Sequence, residues 1–410
     1  MATDLGVSAG VLAAECDRLL EFGQNFPHPR GGAAWLDEKG RPDLTRPVFT
    51  WVTARMTHVY CLGHLLGRSG DAELAAQGLT GLLGRLRDEH AGGWFTSIDD
   101  VGETPDQKAC YTHAFVVLAA ASARAAALPG ADRLLEQALT VWGEKFFDPE
   151  AGMFVDAWDR GFTRLDPYRG LNGNMHAVEA LLAAADATGD EGLRERALGI
   201  ARRVVIDFAE PQRWRIPEHF DSEWRPMLEH NADRPDDPFQ PYGATVGHGL
   251  EWSRLLLHLE AALGKQAPDW LLPAAIALFD QASADGWAVD GADGFVYTTD
   301  WAGRPVVRDR MHWVLAEGFA AAAALQQRTR EDRYAKLARI WWAYAERYLI
   351  DREHGSWHHQ LNPQNEVVGT VWPGKPDLYH AVQATLVPRL PLAPGLAAAL
   401  AADPPRPLTA

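Results

Sequence analysis

Apolar residues along this chain recur in two alternating rhythms. In the first, a polar stretch leads into a histidine and then an Ala/Leu-rich run. It reads "TARMTHVYCLGHLLG" from Thr53, "KACYTHAFVVLAAAS" from Lys108, "NGNMHAVEALLAAAD" from Asn172, "ATVGHGLEWSRLLLH" from Ala244, "DRMHWVLAEGFAAAAAL" from Asp309 and "PDLYHAVQATLVPRL" from Pro376. In the second, as in "ADRLLEQALTVWGEKFF" and "DEGLRERALGIARRVVIDF", Leu, Ile and Val occupy one helical face and charges the other, which predicts a half-buried helix. Between them stand aromatics flanked by Gly, as in "GGWFTSIDD", "GMFVDAWDRG", "DGFVYTTDWAG" and "GSWHHQLNPQNEV". Gly and Asp/Asn supply turns and aromatics suit a pleated surface, so these runs predict short hairpins.

The marker histidines are His58, His113, His176, His248, His312 and His380, and six units of two helices fill the chain. The predicted fold is all-α, an (α/α)6 barrel of six inner and six outer helices with short hairpins between repeats. It is expected to form a single domain over residues 1–410, with the Ala/Pro-rich tail flexible from about 395. An open solenoid has the same period. Closure is favoured because polar and aromatic residues collect at the same end of each inner run, where a ring would gather them around one cavity.

Composition narrows the partners. With 39 basic and 55 acidic residues the net charge is −16, which argues against nucleic acid or an anionic membrane as a partner. Cys16, Cys61 and Cys110 form no CxxC pair and leave an odd count, so neither a disulfide framework nor a zinc knuckle is indicated. No apolar run reaches the roughly 18 residues of a membrane span, and the N-terminal stretch lacks a basic leader. A soluble, cytoplasmic protein is expected, as a monomer or homo-oligomer.

If the inner helices point the same end at the cavity, its lining includes Arg55, Tyr111, Asn172, His176, His248, Glu251, Trp313, Glu317 and His380. That mixture suits a sugar: an indole packs on the apolar face of a pyranose, while Arg, Asn, Glu and His exchange hydrogen bonds with hydroxyls. A neutral imidazole, with an ordinary pKa of about 6.5, is a competent base near neutral pH and its conjugate acid a competent donor. Two facing each other suit proton movement between adjacent carbons. His58, His113 and His312 are expected to be structural or supporting, and Trp313 also has a plain core reading.

The blocks "RPVFTWVTARMTHVYCLG", "NGNMHAVEALLAAADATGD", "PYGATVGHGLEWSRLLL" and "GTVWPGKPDLYHAVQA" resemble the N-acylglucosamine 2-epimerase superfamily, and within it the branch of mannose and sulfoquinovose isomerases. The resemblance runs from about residue 20 to residue 390. It implies metal- and nucleotide-independent interconversion of aldoses with ketoses or with C2 epimers. His248 and His380 then match the acid/base pair and His176 a further active-site histidine. Arg55, Tyr111, Asn172, Glu251, Trp313 and Glu317 match sugar-pocket residues, and Arg234 a loop arginine over the substrate. D-mannose and D-fructose are the expected substrate and product, through a cis-enediol, with Glu251 expected to orient His248 and Arg55 to stabilise the enediolate. Epimerisation of mannose, glucose or cellobiose, or isomerisation of sulfoquinovose, are the alternatives within the family.

Rivals from other classes have residues too. A metal-dependent isomerase would draw on His354 and His358, a glycoside hydrolase on Glu251 and Glu317, and a sugar-binding barrel on the lining alone. "GVSAG" at residues 6–10 has no preceding strand to make it a nucleophile elbow.

Overall fold

The computed structural model describes residues 5–371 and 373–403. Helix follows helix: α1 (Ala9–Gly23), α2 (Thr50–Leu65), α3 (Asp71–Leu83), α4 (Cys110–Ala125), α5 (Ala131–Lys145), α6 (Leu171–Thr188), α7 (Glu191–Arg202), α8 (Val246–Leu263), α9 (Leu271–Gly286), α10 (His312–Thr329), α11 (Asp332–Tyr344), α12 (Tyr379–Leu386) and α13 (Leu396–Ala402). The six marker histidines fall in turn on α2, α4, α6, α8, α10 and α12, so the period read from the sequence is the period of the structure.

The chain forms two compact units. One comprises the residues up to Leu19, Ala201–Lys375 and His380–Leu392; the other comprises Leu20–Ile200, Pro376–Tyr379 and the chain from Ala393. Within the latter, α2 packs on α3 and α4, and α4 on α5 and α6. Within the former, α8 packs on α9 and α10, and α10 on α11.

The two rhythms separate two burial regimes. Along α5 only Ala131, Leu134, Leu135, Ala138 and Trp142 are buried, at the spacing of a single helical face. Along α4 nearly every residue from Thr112 to Ala123 is buried, and five of these are alanines, whose small side chains let neighbouring helices approach. Gly78 makes the same point at the α3–α2 contact, where an added Cβ would fall 2.2 Å from Thr57 Oγ1.

The Gly-aromatic runs are hairpins, with bridges such as Arg87↔Trp94, Trp287↔Phe295 and Ile350↔Trp357. They also start the histidine-bearing helices. Val48–Phe49 pairs with Ser97–Ile98, Lys108–Ala109 with Ala157–Trp158, Ala244–Thr245 with Thr298–Thr299, and Arg310–Met311 with Gln360–Leu361. Each helix begins where such a pair ends, and its first amide donates to a hairpin carbonyl: Thr50 to Thr96, Cys110 to Asp156, Val246 to Tyr297 and His312 to His359. Backbone carbonyls thus satisfy amides that Ser, Thr or Asp side chains commonly cap.

The same hairpins carry an ionic clasp. Asp88 and Asp351 each accept amide hydrogen bonds from residues two and three along, and receive the buried ammonium of Lys108 at 3.1 Å and of Lys375 at 2.6 Å. Arg310 and Asp290 repeat the pairing at 2.7 Å. Burial pushes the Asp351 carboxyl upward, but Lys375 and the turn amides outweigh it and hold the pKa at about 2. A depressed carboxylate stabilises the fold fully above its unfolded pKa, near 4, and that contribution is lost as pH falls toward 2. Asp351→Asn, which strands a buried ammonium, is expected to cost ~3–5 kcal/mol at neutral pH. It should also flatten the acid limb of the unfolding temperature measured against pH.

The tail expected to be flexible is helical over Leu396–Ala402, with Ala399 and Leu400 buried, and from residue 404 it lies outside the described residues. Among the described residues no helix is long and apolar enough to cross a membrane.

Candidate active site

The pairing of Ala244–Thr245 with Thr298–Thr299 fixes the start of α8 and sets His248 in its first turn. Its imidazole Nδ1 lies 2.8 Å from Oε1 of Glu218, a buried residue on the extended segment before the long loop into α8. His380, second residue of α12, repeats the arrangement with Nδ1 2.9 Å from Glu317 Oε1. Glu317 is held in turn by Arg254, whose Nε donates to Oε2 at 2.7 Å. An ionised carboxylate only accepts. Each neutral imidazole therefore carries its proton on Nδ1 and offers the Nε2 lone pair.

Trp313 brings the two histidines into one place. Its indole lies 5.3 Å from the His248 ring and 5.6 Å from the His380 ring, centroid to centroid. The seat for it is made by Gly247, where a Cβ would stand 2.3 Å from Trp313 Cζ3 and 2.9 Å from Val314 Cγ2. Gly247→Ala is expected to cost about 1–3 kcal/mol by overpacking and to lower turnover by displacing the indole. Thermal unfolding and steady-state kinetics read the two effects separately.

Glu251 is fully buried, with Oε1 3.5 Å from Arg254 Nη2, and groups with Glu317 and His380. The carboxylate on His248 Nδ1 is thus Glu218 rather than the expected Glu251. Removing its charge by Glu218→Gln is expected to lower kcat roughly 10- to 100-fold, in the range of supporting hydrogen bonds that fix an imidazole. KM should change little, and Glu218→Asp should recover part of the loss.

In the other unit, Arg55 of α2 donates from Nη2 to the Tyr111 hydroxyl at 2.9 Å and from Nη1 to Asp377 at 3.3 Å. Its guanidinium lies 4.3 Å from the Phe115 ring and 4.7 Å from the Tyr379 ring, within cation–π range. Burial opposes that charge, but Tyr111, Asp377 and Tyr379 outweigh it and raise the pKa above the ordinary arginine value. His176 packs on Phe115 at 4.6 Å and Tyr111 at 5.3 Å, with Nδ1 3.7 Å from Glu179, the carboxylate to which the Tyr379 hydroxyl donates. Asn172, at the start of α6, is half-buried, and its Oδ1 has no hydrogen-bond partner among the described residues.

The other expected residues fall as follows. Arg234 stands on the loop before α8 with its side chain 66% exposed, donating to Asn231 at 3.0 Å. His113 has both ring nitrogens engaged, Nδ1 by the Ala109 carbonyl and Nε2 by the Trp94 amide, and burial lowers its pKa to about 4. His58 is lowered to about 4 in the same way and bonds Ser122 at 2.7 Å. His312 stacks on His359, ring centroids 3.9 Å apart. His354 and His358 lie 3.5 and 3.9 Å from Asp351, whose charge is already committed to Lys375. As a hydrolase pair, Glu251 and Glu317 are poorly disposed. Arg254 lies against both, so each carboxylate already faces the same cation.

Sequence reasoning missed Glu218, Arg254, Asp377, Tyr379 and Glu179. Arg254 had a signal, being three residues from Glu251 on the same helix, and Asp377 and Tyr379 sit within the "DLYHA" block. Glu218 had none.

Comparison with known proteins bears on the whole chain. The family model for N-acylglucosamine 2-epimerase matches residues 31–384. D-mannose isomerase of Thermobifida fusca is 52% identical over 392 residues, covering 95% of this chain and 96% of that protein. D-mannose isomerase of Pseudomonas cannabina pv. alisalensis is 47% identical over 394 residues, covering 95% and 94%. A crystal structure of a D-mannose isomerase superposes with a TM-score of 0.88 at 26% identity, covering 93% of this chain and 98% of that one. The fold is the all-α (α/α)6 barrel expected from the histidine period. The chain belongs to the N-acylglucosamine 2-epimerase family.

Proposed function

We propose that the protein is a sugar isomerase that interconverts D-mannose and D-fructose by proton transfer through a cis-enediol. The observation that carries this reading is the pair of imidazoles on one indole, each with Nδ1 on a buried glutamate. Support comes from the two D-mannose isomerases at 52% and 47% identity.

In this mechanism the sugar ring opens first, with His248 Nε2 taking the proton of the anomeric hydroxyl and delivering it to the ring oxygen. His380 Nε2 takes the proton from C2, the carbon alpha to the aldehyde, and electrons move to give the enediolate. Donors on the developing oxyanion carry most of the barrier reduction in such steps, and His248 and Arg55 are assigned that work. His248 carries the O2 proton to O1 and His380 returns its proton to C1, which yields the ketose. Glu317 and Glu218 keep each imidazole in one tautomer and one orientation. Tyr111, Asn172, His176, Arg234, Glu251 and Trp313 are assigned to sugar binding, the indole by packing on the pyranose face.

The same acid/base pair could return the proton to C2 from the other side, which is epimerisation. Incubating the protein with D-mannose and separating the products decides between them. Fructose as the major product is expected, whereas glucose as the major product would replace isomerase by epimerase, and no conversion would reject both.

A further inference from the structure

We infer that Glu251, Glu317 and His380 form a site where a zinc-class divalent ion binds and blocks the protein's action. One donor atom from each residue lies within 4.8 Å of the other two. All three are buried, at 1%, 1% and 5% exposure. His380 Nδ1 and Glu317 Oε1 already stand 2.9 Å apart across one proton. The ion takes that proton's place: Nδ1 and Oε1 each give it a lone pair, the Glu251 carboxylate supplies a third, and the proton passes through solvent to Nε2, so the ring stays a neutral imidazole in the other tautomer.

One imidazole nitrogen with two carboxylate oxygens is a donor set for Zn2+ and Co2+. Mg2+ and Ca2+ want six or more oxygens and fit it poorly. Arg254 sets the limits of the site. Its Nε holds Glu317 Oε2 at 2.7 Å and its Nη2 lies 3.5 Å from Glu251 Oε1, so both carboxylates are anchored before an ion arrives. The same guanidinium cancels one of the two negative charges, which keeps affinity well below that of a structural zinc site.

Blocking rests on the role of His380 proposed above, because an imidazole ligated through Nδ1 carries its one proton on Nε2 and has no lone pair there to take the C2 proton. Binding does not rest on it. The test is therefore a titration of the full-length protein with ZnCl2 by calorimetry, and with CoCl2 by visible absorption, at two pH values, alongside turnover of D-mannose. One ion per chain is expected, with little net proton release at the higher of the two pH values, because the proton displaced from Nδ1 is retained on Nε2. Turnover should be lost over the same concentration range and restored by EDTA.

Glu251→Gln is expected to weaken Zn2+ binding about tenfold or more. Glu317→Asp, which keeps the charge and moves the oxygens, gives a second variant should the first fail to fold. Replacing both His354 and His358 by alanine, which removes the imidazoles near Asp351, should leave affinity within about twofold. Absence of binding at millimolar Zn2+, or binding that follows His354 and His358 in place of Glu251, overturns the site. Binding as expected with turnover intact overturns the blocking and counts against His380 as the base.

Discussion

Turnover of D-mannose is expected to fall by roughly 10²- to 10⁴-fold when His380 is replaced by glutamine, the range that acid/base groups contribute. Glutamine keeps a hydrogen-bonding side chain of similar reach but has no nitrogen that takes a proton at neutral pH. Sugar affinity should therefore survive better than kcat. The setting of His380 argues for a large effect. Its Nδ1 is fixed by Glu317, Glu317 is fixed by Arg254, and the ring is backed by Trp313. A side chain held at Nδ1 and along its ring is placed to act at one substrate atom. Kinetics of the variant against wild type give the check, with KM and kcat reported separately. Wild-type kcat in the variant would remove His380 from the mechanism.

His248→Ala is expected to cost a comparable ~10²- to 10⁴-fold, but with a different signature. His248 is assigned to the ring oxygen and to the enediolate, so its loss should slow both ring opening and the proton transfer that follows. An acyclic aldose that needs no ring opening should recover part of the lost rate in this variant and none in His380→Gln. Equal losses on cyclic and acyclic substrates would show that His248 has no part in opening the ring. The Glu218→Gln variant should resemble a mild form of His248→Ala, since Glu218 holds that imidazole.

Much of the fold was legible because it is written in local periodicity. The Ala/Leu runs after each marker histidine became α2, α4, α6, α8, α10 and α12, and the Gly-aromatic runs became hairpins. The hairpins' capping of the next helix was hidden, because the capping groups are backbone carbonyls and leave no Ser, Thr or Asp signature. Among site residues, those carried near the starts of the histidine-bearing helices were legible for the same local reason.

The partners of those residues were less so. Position i+3 on α8 suggested Glu251 for His248, yet the imidazole donates to Glu218, thirty residues earlier in the non-periodic "RIPEHFD". Helical spacing brings two side chains to one face, but packing decides which neighbour each one turns toward, and Glu251 turns to Arg254. Arg234 was assigned from a loop match alone, and loops carry no period that ties a residue to a site.

The proposal that an imidazole moves a proton between C2 and C1 is tested most directly by running the reaction on D-mannose in heavy water and reading the fructose by NMR. Deuterium at C1 of fructose is expected, because a proton held on an imidazole exchanges with solvent before it is returned. Fructose formed at full rate with only protium at C1 would contradict proton transfer through an exchanging histidine and point to a hydride shift.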